Sequence, residues 1–184
     1  MKIDRLIIRI AIGVVVLLFA LAFIMRSDEI ESSGYTEISA PPDVVWAALV
    51  DPEQRHLWME SVTAATQTMG AYGSGSSSMM LSVSQEGLVR HIYEDVVTAA
   101  PPLLMQTRID DPDGVLELIT QYELRPVGAG GRRTRLTITA TRQLEGFLAP
   151  YFAVVIRQRS DENVDYNLNK LRQLVMSTYS PADL

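Results

Sequence analysis

Few residues in this sequence could carry acid–base chemistry. His56 and His91 are the only two histidines, and histidine is the side chain that most readily exchanges a proton near neutral pH. A short helical pattern predicts that His56 is a surface residue. His91 and Tyr93 share one side of a predicted strand, so both would line an interior if that side faces inward. Together with Tyr122 they are the candidate general acids and bases, and an exposed or structural His91 is the alternative.

Other catalytic and metal-binding patterns fail on composition or spacing. The sequence has no cysteine, which excludes thiolate catalysis, disulfides and thiolate-bound zinc. The stretch GAYGSGSSS lacks the lysine of a phosphate-binding loop, and we interpret it as a mobile hairpin loop. The stretch DDPDG lacks the ligand spacing of a calcium-binding loop, and no G-x-S-x-G nucleophile motif occurs. We therefore expect no metal and no cofactor.

The charge balance argues against a nucleic-acid partner. The net charge is −6, whereas binding to phosphate backbones needs clustered cations. Four of the 16 basic residues but only one of the 22 acidic residues precede residue 27, so segment 27–184 carries twelve basic and twenty-one acidic residues, a net charge of −9. Anionic lipid surfaces would repel such a segment as a whole.

The amino-terminal segment predicts a membrane anchor. Residues 6–25 are apolar apart from Arg9, and about twenty helical residues match a hydrocarbon core of roughly 30 Å. We predict an uncleaved anchor over residues 1–26, because AFIMRS contains no small-residue cleavage site; a cleaved signal peptide is the alternative. Lys2 and Arg5 precede the apolar run, which favours a cytoplasmic amino terminus and an extracytoplasmic carboxy-terminal domain.

After a short polar linker, residues 27–34, the pattern indicates one α+β domain over residues 35–179 and a tail over 180–184. The strand YTEIS stops at Pro41-Pro42, which cannot continue a β-ladder. Two short helices follow, with Asp51-Pro52 between them. Turn-forming residues then separate six further predicted strands: 61–69, 76–84, 88–97, 103–109, 115–124 and 133–141.

The final segment, residues 147–179, has apolar residues at helical spacing along one face, and its polar middle suggests a kink. Seven strands at about 4.8 Å would make a sheet roughly 34 Å wide, whereas a helix is only about 10–12 Å wide. The sheet must therefore curl around the helix, and such a fold leaves interior volume. The side chains predicted to line that interior are Met79, Leu81, Val83, Val89, His91, Tyr93, Leu118, Thr120, Tyr122, Leu136, Ile138, Ile156, Ser160 and Val164.

Four stretches carry a family resemblance: YTEISAPPDVVWAALVDPEQRHLW, VTAAPP, QYELRPVGAGGRRTRLTITA and NLNKLRQLV. Their order and spacing over residues 35–176 resemble the START-related SRPBCC superfamily, and within it the polyketide cyclase/dehydrase and lipid transport group. The resemblance implies a START-like helix-grip fold with a cavity for an apolar small molecule or lipid. It supplies no catalytic residue, because the superfamily shares none.

Three functional hypotheses follow. The first is a membrane-tethered module that binds or transfers a lipid or other hydrophobic small molecule. The second is a cyclase- or dehydratase-type enzyme that uses His91, Tyr93 or Tyr122. The third is an interaction or assembly protein, with a protein partner and a packed interior.

Overall fold

The computed structural model describes residues 29–85, 87–110, 116–144 and 149–179, together with 10, 12–18 and 20. The latter group is helical. The other residues of the predicted anchor, 1–26, lie outside the described residues. So does the whole predicted tail, residues 180–184. Among the described residues, no helix is both long enough and apolar enough to cross a membrane.

Seven strands and three α-helices build the domain, in the predicted order. The strands are β1 Glu29–Ile38, β2 Val62–Met69, β3 Ser78–Gln85, β4 Leu88–Ala100, β5 Leu104–Asp110, β6 Leu116–Val127 and β7 Arg133–Leu144. The helices are α1 Pro42–Val50, α2 Arg55–Trp58 and α3 Ala149–Thr178, with a short 3₁₀ turn, Pro52–Gln54, before α2.

All seven strands form one antiparallel sheet in the order β1-β7-β6-β5-β4-β3-β2. The boundaries of β2 to β7 differ from prediction by at most three residues. The first strand differs more, because it begins at Glu29, which pairs with Gln143 of β7. Most of the predicted linker is therefore part of the sheet. Its serines and acids gave no apolar signal, and pairing with β7 orders them.

The long helix α3 is continuous over 30 residues, and the kink suggested by its polar middle is absent. The polar residues of that middle mostly face solvent, while Ser160 and Val164 continue the buried stripe. Pro150 lies in the first turn, where a missing N–H does not interrupt the hydrogen-bond ladder. The amphipathic spacing therefore outweighs local polarity.

The sheet curls around α3, as predicted. On one edge, Ser32 of β1 donates a hydrogen bond to Asp161 of α3. On the other side, the Glu60 amide, just before β2, donates to Asn167 Oδ1 at 2.9 Å. Asp161 and Asn167 are less than two turns apart, or about 9 Å along the helix. Because β1 and β2 are opposite edges of a seven-stranded sheet, only a strongly curved sheet lets one helix reach both.

Gly34 lets α3 approach β1 closely. A Cβ atom at this position would lie 3.0 Å from Leu168 Cδ1 and 3.1 Å from Val164 Cγ1. Both partners are buried, so they have little room to move.

We expect Gly34→Ala to lower the free energy of unfolding by about 1–3 kcal/mol, the usual range for overpacking. Chemical denaturation monitored by circular dichroism measures the change. Gly75→Ala is the matched control, because nothing lies within 4 Å of a Cβ built there. Equal stability of the two variants would contradict the close-approach role.

Candidate functional site

The candidate site is the inner face of the sheet, defined as the side that faces α3. Strand register places inward side chains in rows across this face. One row runs from Val96 through Thr107, Thr120 and Ala140 to Ser32. All five are buried. Sheet and helix thus enclose an apolar interior that contains a small number of hydroxyl groups.

Most of the predicted interior residues lie on this face or on the facing side of α3. The buried ones are Met79, Leu81, Thr120, Tyr122, Leu136, Ile138, Ser160 and Val164. The half-buried ones are Val83, Leu118 and Ile156.

For β4, the prediction placed the wrong set of alternating residues on the inner face. Val89 and Tyr93 are 59% and 52% exposed, and His91 is exposed as well. His91 Nδ1 lies 3.1 Å from the Ser82 hydroxyl of the adjacent strand, so it makes an outer-surface contact. The opposite parity faces inward, and it includes Glu94, which is fully buried.

The loop between β2 and β3 also differs from its predicted role. Tyr72, in the middle of GAYGSGSSS, is buried in the core. Gly73 adopts a φ of +87°, and a Cβ there would lie 2.5 Å from Val50 Cγ1. Glycine therefore permits the loop to pack under α1, and the loop forms part of the wall of the interior.

A buried ion pair lies at the centre of the site. Arg55 of α2 and Glu94 of β4 form a salt bridge whose side chains are both 0% exposed. Arg55 also donates to the Leu49 carbonyl at 3.1 Å and to the Tyr72 hydroxyl at 2.9 Å. Burial alone would lower the pKa of Arg55, but Glu94 and the nearby tyrosines outweigh burial and raise it. The guanidinium is therefore charged at every accessible pH.

Three aromatic rings surround this pair. The Arg55 guanidinium carbon lies 4.8 Å from the Trp58 ring centroid and 5.2 Å from that of Tyr72, distances suited to cation–π attraction. Trp58 contacts Tyr122 edge to face, with centroids 6.5 Å apart. Burial raises the pKa of Tyr122 above 10.0; Glu94 raises it further, against a smaller opposing effect of Arg55. Tyr122 is thus a neutral hydrogen-bonding group at physiological pH.

Several polar atoms of this cluster have no hydrogen-bond partner in the described part of the chain. They are Arg55 Nε, Trp58 Nε1, Glu94 Oε1 and Thr107 Oγ1. Thr107 pairs with Val96, two residues along β4 from Glu94, so Thr107 and Glu94 are diagonal neighbours on the inner face. Buried polar atoms are almost always paired. This cluster therefore offers both donors and acceptors to a polar group of a bound molecule.

A second cation, the half-buried Arg142 of β7, lies across the inner face from Glu94. Arg142 pairs with Leu118 and Ile30 in register, and burial lowers its pKa. Its Nε atom is also without a hydrogen-bond partner among the described residues. Arg142 and Glu94 thus lie in one row across the inner face, separated by the aliphatic side chains of Leu118 and Ile109.

The interior is distinct from a hollow on the outer side of α1. That hollow has a volume of about 240 Å³. Its lining comes from α1, the following 3₁₀ turn and the last turns of α3: Val44, Ala47, Ala48, Asp51, Gln54, Val175, Thr178 and Tyr179. It contains none of the unpaired polar atoms.

Arg55, Glu94 and Tyr72 were not among the predicted site residues. The available signal was the alternation of β4, in which Glu94 shares parity with Ile92 and Val96. A glutamate between two apolar residues of one parity indicates either an exposed face or a buried charge with a distant partner. Arg55, 39 residues away, is that partner.

Within the described ranges, no group of three or more His, Cys, Asp or Glu residues could hold a metal ion. The DDPDG stretch lies mostly outside the described residues.

We expect Glu94→Gln to lower the free energy of unfolding by about 3–5 kcal/mol, because it leaves a buried guanidinium without its counter-charge. The double variant Arg55→Met/Glu94→Leu should recover most of that loss, since no charge stays buried. Urea denaturation measures both. Glu117→Gln, which breaks the exposed pair with Arg108, is the control and should cost less than about 1 kcal/mol. Equal losses in Glu94→Gln and the control would contradict the assignment.

The tyrosines predict a pH dependence. Tyr72 and Tyr122 both have pKa values raised above 10.0, chiefly by burial. The unfolded chain releases these protons near pH 10 while the folded chain retains them, so stability falls as pH rises above about 10. Ultraviolet titration of tyrosinate should give identical curves for folded wild type and Tyr122→Phe near pH 10. In urea, where all tyrosines are exposed, the variant should show the tyrosinate absorbance of six tyrosines, whereas the wild type shows that of seven. A loss already visible in the folded variant would contradict burial of Tyr122.

Comparisons with solved structures agree with this architecture. A START superfamily protein from Mycobacterium smegmatis superposes with a TM-score of 0.65 at 14% identity, covering 82% of this chain and 99% of that one. The Thermus thermophilus protein TTHA0849 gives 0.66 at 18% identity, with coverage of 82% and 99%. The ZhuI aromatase/cyclase from Streptomyces sp. R1128 gives 0.65 at 15% identity, with coverage of 84% and 98%. At these identities the similarity establishes the helix-grip fold.

The family comparison covers most of the chain. No curated protein matches the sequence. The family model described as polyketide cyclase / dehydrase and lipid transport matches residues 29–175, which begin at the first residue of β1 and end in the last turns of α3. The chain therefore belongs to the polyketide cyclase / dehydrase and lipid transport family.

Proposed function

We propose that this domain binds a hydrophobic small molecule or lipid in the interior between sheet and α3. The observation that carries the proposal is the set of unpaired buried atoms around Arg55 and Glu94. An unsatisfied buried polar atom destabilises the protein by about 1–3 kcal/mol, so a ligand that pairs with it gains affinity. The preferred ligand has an apolar body and one uncharged polar group, such as a hydroxyl or carbonyl.

The chemistry of the walls supports this choice of ligand. Met79, Leu81 and Ile138 provide buried apolar surface, which favours a hydrocarbon body. The polar group would meet Trp58 Nε1 as a donor or Glu94 Oε1 as an acceptor. A charged head group at this level would be unfavourable, because the Arg55–Glu94 pair is already neutral as a unit.

We also propose that residues 6–25 tether the domain to a membrane, with the amino terminus cytoplasmic and the domain extracytoplasmic. The support is the sequence pattern: an apolar run of about twenty residues preceded by basic residues. A tether would keep the binding domain close to a reservoir of apolar ligand.

An enzymatic role has weaker support. Of its three candidate acid–base groups, His91 and Tyr93 lie on the outer surface. Tyr122 faces the interior, but its raised pKa keeps it protonated at physiological pH and makes it a weak acid. A protein partner would have to use an outer surface, since α3 covers the inner one.

Thr107→Val tests the binding proposal, because it removes an unpaired buried hydroxyl with little change in shape. We expect the variant to be as stable as the wild type or more stable. Its affinity for a neutral apolar probe with one N–H group, N-phenyl-1-naphthylamine, should fall about three- to tenfold, the loss of one hydrogen bond. Probe fluorescence with the full-length protein in nanodiscs measures the affinity.

Thr98→Val, at an exposed position of β4, is the matched control and should leave the affinity unchanged. Native mass spectrometry of the same preparation should detect a co-purified apolar molecule. Absence of saturable probe binding in the wild type would refute the binding proposal. Equal affinity of the wild type and Thr107→Val would refute the role of the polar cluster.

A further inference from the structure

The start of β1 and the start of α3 lie at the same end of the domain. Glu29 pairs with Gln143 near the end of β7, and α3 follows β7 in the chain. Ser32 contacts Asp161, so residues 149–160 of α3 extend from that contact in the direction of Glu29. At most about 14 Å of extended chain separates residue 25 from Glu29. The predicted membrane span therefore connects to this end, here called the proximal end.

The proximal end exposes apolar side chains on two elements. Val154 and Val155, in the second turn of α3, are 71% and 55% exposed. Leu88 and Val89, at the β3–β4 hairpin, are 69% and 59% exposed. The hairpin turn lies at the same end of the sheet as the start of β1. The end of β5, Asp110, pairs with Tyr93, and β4 begins five residues earlier at Leu88, beyond that end of β5.

The charge of this end differs from that of the domain. Residues 149–160 of α3 contain Arg157 and Arg159, both exposed, and no acidic residue. The next six residues include Asp161, Glu162 and Asp165. Within a segment of net charge −9 over residues 27–184, this helical start is positively charged. Exposed apolar residues beside arginines are typical of helices that lie at a membrane interface.

Near the proximal end, some side chains of the inner face are only partly covered, although Ile30 of β1 and Leu81 of β3 are fully buried. On the sheet, the large aliphatic side chains of the inner face that stay half-buried are Val83, Ile92 and Leu118. Ile156 of α3 is half-buried too. At the distal end, Leu124, Leu136 and Leu171 are fully or almost fully buried. The less tightly covered positions of the interior therefore lie toward the proximal end, and one of them, Ile156, directly follows Val155 in α3.

We propose that the first three turns of α3 and the β3–β4 hairpin dock on the surface of a phospholipid bilayer. This inference rests on the proposed tether. The valines and Leu88 enter the boundary between head groups and acyl chains, and Arg157 and Arg159 pair with lipid phosphates. Docking brings the half-buried end of the interior against the bilayer, so an apolar ligand passes between membrane and domain without crossing bulk water.

The chain has no cysteine, so single cysteines can report on docking. The full-length variants Val154→Cys and Leu88→Cys, labelled with the fluorophore NBD, are reconstituted into phosphatidylcholine vesicles. We expect lipids carrying a doxyl quencher in the acyl chain to quench both labels about threefold more than a label at Leu103→Cys. Leu103 is the control because it lies between β4 and β5 at the distal end and is 47% exposed. Aqueous iodide should quench the labels in the reverse order.

A charge variant adds an independent readout. Arg157→Glu/Arg159→Glu, combined with Val154→Cys, should lose most of the doxyl quenching while the protein still resists alkaline extraction from the vesicles. Iodide accessibility at positions 154 and 88 equal to that at 103 would overturn docking and leave the tether intact. Release of the wild type by alkaline extraction would overturn the tether and, with it, docking. Neither result depends on the Thr107→Val binding assay.

Discussion

A charge pair sealed from water determines how the short helices sit on this sheet. Glu94 projects from β4 into the interior, and Arg55 of α2 is its counter-charge. Neither could be buried alone, because an isolated charge in a low-dielectric interior is very unfavourable. The same guanidinium holds the Leu49 carbonyl at the end of α1 and the Tyr72 hydroxyl of the β2–β3 loop. One side chain thereby connects four segments of the chain.

The hydrogen bonding of the Arg55–Glu94 pair bears on the proposed binding of a ligand. Arg55 and Glu94 neutralise one another, yet each keeps one polar atom without a partner in the described part of the chain. The pair is complete in charge and incomplete in hydrogen bonding. In the proposed binding site, this arrangement would favour a neutral polar group over an ion, and the surrounding Trp58 and Tyr122 rings would favour an apolar neighbour.

The inner face of β4 is the one that the sequence pattern did not identify. Both parities of β4 contain apolar residues, and the buried glutamate made the inward parity appear to be the solvent-facing one. His91 and Tyr93 were consequently assigned to the interior, whereas both are exposed to solvent and His91 contacts Ser82. For β3, β6 and β7 the inward parity was unambiguous, and Leu81, Tyr122 and Ile138 were correctly placed. The failure therefore lies at the strand that carries the buried charge.

The sequence by itself determined the order of the elements, the curled sheet and the family. These follow from local periodicity, from turn residues and from the width of seven strands, each of which is set by neighbouring residues. Only the tertiary structure decided which face of β4 is inward, that GAYGSGSSS places Tyr72 in the core, and that Glu29 belongs to a strand. These features depend on partners such as Arg55 and β7 that are remote in the chain, and the burial of a charge is favourable only when its partner is in place.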